Sequence, residues 1–277
     1  MEPWLIAIIS VVAFLLLSFL VFLFLIKPAK KRGRIDEFKS QRYAHRGLHG
    51  NGIAENSMSA FRSAIEAGFG IELDVRLSSD GELVVYHDDT LLRVSGIDAR
   101  VDSKTAEELS KISLSGTADT VPTFREVLQL VDGRVPLLVE IKEDAGKYGV
   151  TEKTVEILRG YKGDFIIESF NPLSVGRVKK IFPEALSGIL SQNFLSEKKY
   201  RTITHFLLEI LVLNVVCRPD FIAFNHKHYK NSALRLARGI FGAPTVAWTV
   251  RSQEEEDEAL KHGFDGIIFE NYIPRQE

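Results

Sequence analysis

From Trp4 to Ile26 the chain reads WLIAIISVVAFLLLSFLVFLFLI, with no charged side chain in the run. A helix of about 20 such residues spans the roughly 30 Å hydrocarbon core of a bilayer, and there a helix satisfies its own backbone groups. This stretch is set apart from any water-soluble core. Trp4 marks one edge, where an amphipathic ring suits the interface, and Lys27, Lys30, Lys31, Arg32 and Arg34 crowd the other. Cleaved secretory signals open on a basic segment and carry an apolar run of about 7–15 residues. Here residues 1–3 carry Glu2 and no Lys or Arg, and no Ala-x-Ala site follows the run. The reading is an uncleaved single-pass anchor in the cell membrane. The basic flank places the folded domain in the cytoplasm, with its cations against membrane lipids.

Residues 1–40 are read as anchor and basic linker, and residues 41–277 as one domain large enough for a full core. A net charge of −2 offers no global basic field for nucleic acid. No protein partner is implied. A single cysteine, Cys217, excludes an internal disulfide and a zinc site built on several thiolates.

After the linker, strand-like and helix-like patterns alternate. Strand candidates are Arg42–His45, Ile71–Val75, Leu83–His87, Leu137–Ile141, Phe165–Ser169, Leu186–Leu190, Phe221–Phe224, Thr245–Val250 and Gly266–Phe269. Several are apolar throughout, as buried parallel strands are. Between them lie helices with recognisable starts: Asn56 before Ser57–Ala67, Thr123 with Glu126 in a capping box, and Asn171, Asn231 and Ser252 at three later starts. Repeated β-α units predict an α/β fold, a TIM-type (β/α)8 barrel. Nine candidates are one too many for it. Asp80-Gly81 forms a tight turn between the second and third, where parallel neighbours need a longer crossover.

Chemistry collects at the ends of these strands, where barrel active sites sit. Residues i and i+2 of a strand share a face. Glu72 and Asp74 therefore project together, as do Glu140 and Lys142. Their strands are otherwise apolar, so buried carboxylates there require a partner or a metal. An all-oxygen set suits a hard cation such as Mg²⁺ or Ca²⁺. His45 and His87, read as ends of neighbouring strands, supply an acid/base pair across that ion. Arg46 and Lys142 add fixed positive charge for a phosphate. Each feature alone is bland, a surface histidine or a buried ion pair; their convergence on one end of the pattern carries the reading.

The order H-R-G at 45–47, A-E-N-S at 54–57, E-L-D-V at 72–75, D-G at 80–81 and H-D at 87–88, followed by V-E-I-K at 139–142, resembles the glycerophosphodiester phosphodiesterases. Weaker matches are E-S-F at 168–170, A-W-T-V at 247–250 and D-G-I-I at 265–268. The resemblance implies a TIM-type barrel and divalent-metal hydrolysis of a phospholipid-derived phosphodiester to glycerol 3-phosphate and an alcohol. It implies His45 and His87 as the acid/base pair, Glu72, Asp74 and Glu140 as metal ligands with Glu55 beside them, and Arg46 and Lys142 on the phosphate. Ala54 and Ser57 stand where the family carries Pro and Thr, and Phe269-Glu270 where many members have Thr-Asp.

Phe170 and Trp248 are candidates to pack on glycerol carbons or an acyl chain. Asn225-His226 is a candidate for the site rim, and His49, His205, His228 and His262 read as solvated or structural. Ile203–Val216 reads either as a buried barrel helix or as a membrane-facing one. Competing readings are a sphingomyelinase D-like or phospholipase C-like enzyme, and a catalytically inert lipid-binding protein tethered to the membrane.

Overall fold

In the computed structural model the described residues are 2–29, 38, 40–143, 149–196 and 202–275. The basic cluster Lys30, Lys31, Arg32 and Arg34 lies outside them. The apolar runs form nine strands: β1 (Arg42–Ala44), β2 (Gly70–Leu77), β3 (Leu83–Val85), β4 (Leu137–Ile141), β5 (Phe165–Ser169), β6 (Ser187–Ser191), β7 (Phe221–Asn225), β8 (Thr245–Val250) and β9 (Gly266–Phe269). Eight of them are parallel and run in the order β1-β9-β8-β7-β6-β5-β4-β2, closed into a ring by pairing of β1 with β2. The architecture is a (β/α)8 barrel. The surplus ninth candidate is β3, which pairs antiparallel with β2, Val75 opposite Val85, and otherwise makes only an isolated bridge from Val84 to Thr123 among the described residues. Asp80-Gly81 does turn a hairpin, and β3 stands outside the barrel.

Alternation explains the two faces of the ring. Ile71, Leu73 and Val75 of β2 and Leu137, Val139 and Ile141 of β4 join the main core beneath the helices. Their neighbours Glu72, Asp74 and Glu140 face the lumen. The lumen floor is apolar, with Tyr43, Leu138, Ile166, Phe221 and Val246 among its fillers. A third cluster, including Val84, Leu91, Val101, Leu109 and Val121, forms the small core of the excursion between β2 and β4.

The helix starts behave largely as their sequences predict. Thr123 and Glu126 close a capping box, and Asn171, Asn231 and Ser252 each accept a bond from the first turn that follows. The exception is the first barrel helix, Met58–Glu66, which Ser57 caps rather than Asn56. The side chain of Asn56 is used elsewhere. Ile203–Val216 is not one helix: Ile203–Glu209 and Asn214–Cys217 are separated by a turn. Leu208 and Leu211 are buried, whereas Ile203 is 71% exposed. The N-terminal helix, Pro3–Ile26, is long and apolar enough to cross a membrane, with mean hydropathy 3.1.

Candidate active site

The strand register builds a row of acids. Asp74 of β2 lies opposite Glu140 of β4, which lies opposite Glu168 of β5, with Glu72 one inward step below Asp74. Ligand oxygens of Glu72, Asp74 and Glu140 fall within 4.8 Å of one another, and all three residues are buried. Like charges side by side in a sheet repel, so the row needs cations. Lys142 Nζ sits 2.6 Å from Glu140 Oε1 and 3.0 Å from Asp74 Oδ1. Arg46 approaches from the β1 end, with Nε 3.5 Å from Asp74 Oδ2. Its backbone N–H donates to Glu72 Oε2 at 2.8 Å. Asn56 Nδ2 donates to Asp74 Oδ2 at 2.8 Å, which is why Asn56 leaves the helix cap to Ser57.

The titration behaviour follows from this crowding. Burial, then repulsion from Asp74 and Glu140, pushes the Glu72 carboxyl well above the usual carboxylate range. Burial likewise raises Glu140, and Glu168 more strongly, with Glu140 and Glu72 adding to the latter. Burial would raise Asp74 too, but Lys142, His87 and Arg46 outweigh it and hold Asp74 low. Burial alone would discharge Lys142; Asp74 and Glu140 keep it charged. Fully ionised, four carboxylates against Lys142 and Arg46 leave two negative charges uncompensated, the charge of one divalent cation. Glu168 Oε2 is also buried without a hydrogen-bond partner. The donor set is all oxygen. The residues therefore fit a hard divalent ion.

His45 follows the last residue of β1. The turn after it needs Gly47, whose φ is +80° and whose missing side chain makes room for Ala60 Cβ, 2.8 Å from where a Cβ would stand. Burial lowers the His45 imidazole to about 4 despite Glu270, whose Oε2 is 3.5 Å from Nδ1. His87 arrives differently. It does not end a barrel strand: it follows β3, which returns alongside β2. Its Nδ1 meets Asp88 Oδ1 at 2.6 Å. Asp88 is gripped by Arg93 at 2.6 Å, Arg93 by Glu55 at 2.7 Å, and Glu55 by Arg46 at 2.8 Å. This chain of charges ties the excursion to the barrel mouth. Glu55 is held by two arginines, and its oxygens are not among the grouped ligand atoms of Glu72, Asp74 and Glu140.

His45, His87, Arg46 and Lys142 line one cavity of about 220 Å³ with Phe170 and Trp248. The two aromatic rings meet edge to face, with centroids 5.6 Å apart. His226 does not line it; its Nδ1 faces the Trp248 carbonyl at 3.3 Å and its Nε2 lies 3.4 Å from Glu255. His49 is closer than expected, 3.8 Å from Glu270 and grouped with His45. His262 stacks on Tyr229 at 3.7 Å, a structural role. Sequence reasoning missed Glu168, although a lone acid in the apolar run Phe165–Ser169 repeats the pattern of Glu72 and Glu140. It assigned no supporting role to Asp88 and Asn56, although both lie inside the H-D and A-E-N-S motifs, nor to Arg93, which no local pattern distinguishes from a surface polar residue.

The glycerophosphoryl diester phosphodiesterase family model matches residues 45–273. A glycerophosphodiester phosphodiesterase of Caldanaerobacter subterraneus subsp. tengcongensis is 34% identical over 238 residues, covering 81% of this chain and 91% of the relative. A lysophospholipase D of Rattus norvegicus is 26% identical over 301 residues, covering 94% of each. Among solved structures, the glycerophosphodiester phosphodiesterase of Thermotoga maritima superposes with TM-score 0.64 at 28% identity, over 83% of this chain and 94% of that one. An Oleispira antarctica phosphodiesterase, solved with the product sn-glycerol-3-phosphate, shares the fold with TM-score 0.70 at 22% identity, over 84% of this chain and 94% of that one. With a site that fits and a family match over nearly the whole barrel, the chain belongs to the glycerophosphoryl diester phosphodiesterase family.

Proposed function

We propose that this chain is a membrane-anchored, divalent-metal-dependent phosphodiesterase. It hydrolyses glycerophosphodiesters, either deacylated phospholipids or lysophospholipids, to an alcohol and glycerol 3-phosphate or its acylated form. The observation that carries the reading is the convergence of the acid row, Lys142, Arg46 and both histidines on one cavity. Residues 41–277 form the catalytic domain and residues 1–40 the anchor and linker, with the basic flank holding the domain in the cytoplasm.

Glu72, Asp74 and Glu140 would hold the ion, Mg²⁺ or Ca²⁺, with Glu168 alongside. Bound there, it supplies Lewis-acid polarisation of a phosphoryl oxygen. Arg46 and Lys142 add charge-assisted hydrogen bonds to the phosphate. His45, kept neutral by burial, suits the proton acceptor for the nucleophile, which is water or the adjacent glycerol hydroxyl. His87 has Nδ1 engaged by Asp88, so Nε2 is its free ring atom for donating a proton to the departing alcohol oxygen. Phe170 and Trp248 pack against the carbon skeleton.

The test is a product assay on the full chain with glycerophosphocholine, glycerophosphoethanolamine and lysophosphatidylcholine. Turnover should vanish in EDTA and return with Mg²⁺ or Ca²⁺. Tight binding without turnover would replace the proposal with a lipid-binding role, and release of ceramide phosphate or inositol phosphate from the corresponding lipids would move it to another phosphodiesterase class.

A further inference from the structure

The end of the N-terminal helix is not loosely tethered. A helix leaves its last carbonyls without intrahelical donors, and at the edge of a bilayer those groups need partners. Here Arg218 Nη1 donates to the carbonyls of Phe24, at 2.7 Å, and Lys27, at 2.8 Å. Asn214 Nδ2, buried, donates to the Ile26 carbonyl at 2.9 Å. The Arg218 guanidinium also lies 4.6 Å from the Phe24 ring centroid. Ala29 N–H continues the contact by donating to Pro219 O at 2.9 Å. Arg218 itself has φ +44°, in the left-handed region where glycine ends a helix most readily. A bulky residue there is explained by what its side chain grips.

Lengths agree with this seat. Trp4–Val21 are exposed, Phe22, Leu23 and Leu25 pack against the core, and Ile26 is fully buried. The exposed part measures about 27 Å at 1.5 Å per residue, close to the roughly 30 Å hydrocarbon thickness. A membrane spanned by this part would end where the barrel begins. The contacts also lie on one side. Arg218 and Pro219 immediately precede β7, and Phe241, whose ring faces Lys27 Nζ at 5.9 Å, shortly precedes β8. That is the strand-start end of the barrel, opposite the acid row.

We propose that Asn214 and Arg218 clamp the carbonyl end of the membrane helix, seating the strand-start face of the barrel on the bilayer with its catalytic mouth toward water. The diester then reaches His45 and His87 from the aqueous phase, and not laterally from the anchoring leaflet. This rests on the anchor reading above, which a flotation assay checks independently: a full chain that fails to float with vesicles sinks both.

The test uses the full chain carrying Cys217→Ser in phosphatidylcholine vesicles with headgroup spin-labelled lipid. A fluorophore is placed at Ile240→Cys, in the helix whose end faces Lys27, or at Leu92→Cys, beside Arg93 at the mouth; both positions are exposed. They lie toward opposite ends of the barrel strands, and a five-residue strand tilted by about 36° spans roughly 14 Å along the barrel axis. Quenching should be strong at 240 and at background at 92. The Asn214→Ala, Arg218→Ala pair should lose that asymmetry while keeping kcat on glycerophosphocholine. Wild-type kcat on this soluble diester should be equal in vesicles and in detergent. Equal quenching at both labels, asymmetry that survives in the double variant, or loss of soluble-diester turnover on reconstitution would each overturn the proposal.

Discussion

The two halves of the barrel mouth differ in kind. From β1 through β5 the rim carries His45, Arg46, Glu72, Asp74, Glu140, Lys142 and Glu168, all ionisable and several of them in mutual contact. From β6 through β9 the same cavity is walled mostly by Leu190, Trp248, Thr249 and Ile268, with Phe170 leaning across from the end of β5; Arg251, just after β8, is the one charged residue among the described lining on this side, and Glu270 holds it at 2.9 Å. The fold is the same around the ring, so the difference comes from which residue types occupy the inward positions. A phosphodiester has the same asymmetry, an anion attached to a carbon skeleton. The comparison teaches that one half is built to hold and transform charge and the other to exclude water.

The sharpest way to break the comparison is to empty the charged half of its titratable imidazoles. His45→Ala and His87→Ala should each lower kcat by at least about 10²-fold, the usual worth of a positioned acid or base. Near-wild-type turnover in either would remove that residue from the chemistry. Asn56→Ala, which deprives Asp74 of its 2.8 Å donor, should weaken metal affinity by about 10–100-fold. Isothermal titration with Mg²⁺ or Ca²⁺ reads this directly, and an unchanged affinity would mean that the acid row is not the metal site. Changes in the apolar half should act on binding. Phe170→Ala or Trp248→Ala should raise KM roughly ten-fold, about 1.4 kcal/mol, with kcat within about three-fold. A kcat effect as large as that of the histidines would erase the division between halves.

The smallest effect concerns stability. Folded His45 sits at about 4, below the 6.5 of an unperturbed histidine. As pH falls through 6.5, the unfolded chain takes up a proton that the folded chain refuses, so stability declines until about pH 4. Urea unfolding of the metal-free protein between pH 7.5 and 4 should show this slope, and His45→Asn should flatten it. An identical slope in the variant would assign the acid sensitivity elsewhere, such as the carboxylates.

Much of the site was legible because strand alternation is local. An isolated acid in an apolar strand must face the lumen or be paired, and that argument places Glu72, Asp74 and Glu140 from spacing alone. It fails for His87, because the sequence of β3 reads like any short buried strand. Its direction depends on the hairpin at Asp80-Gly81, and only pairing with β2 excludes it from the ring. It is silent on Glu55, which lies in a turn outside any strand and pairs with Arg93, a residue 38 positions away.

The sequence by itself determined the membrane-length helix, the βα rhythm, the inward direction of the acids and the family. These depend on residue type and on periods of two or 3.6 residues, which any segment carries without reference to the rest. The tertiary structure decided which eight strands close the ring and how the acids of β2, β4 and β5 fall into one row. It also decided how Asp88, Arg93 and Glu55 brace His87 against the barrel, and where the helix end is seated. Each of these joins residues far apart in the chain. Their meeting is fixed by which strand edges pair and which helix ends face each other, and no local period records that.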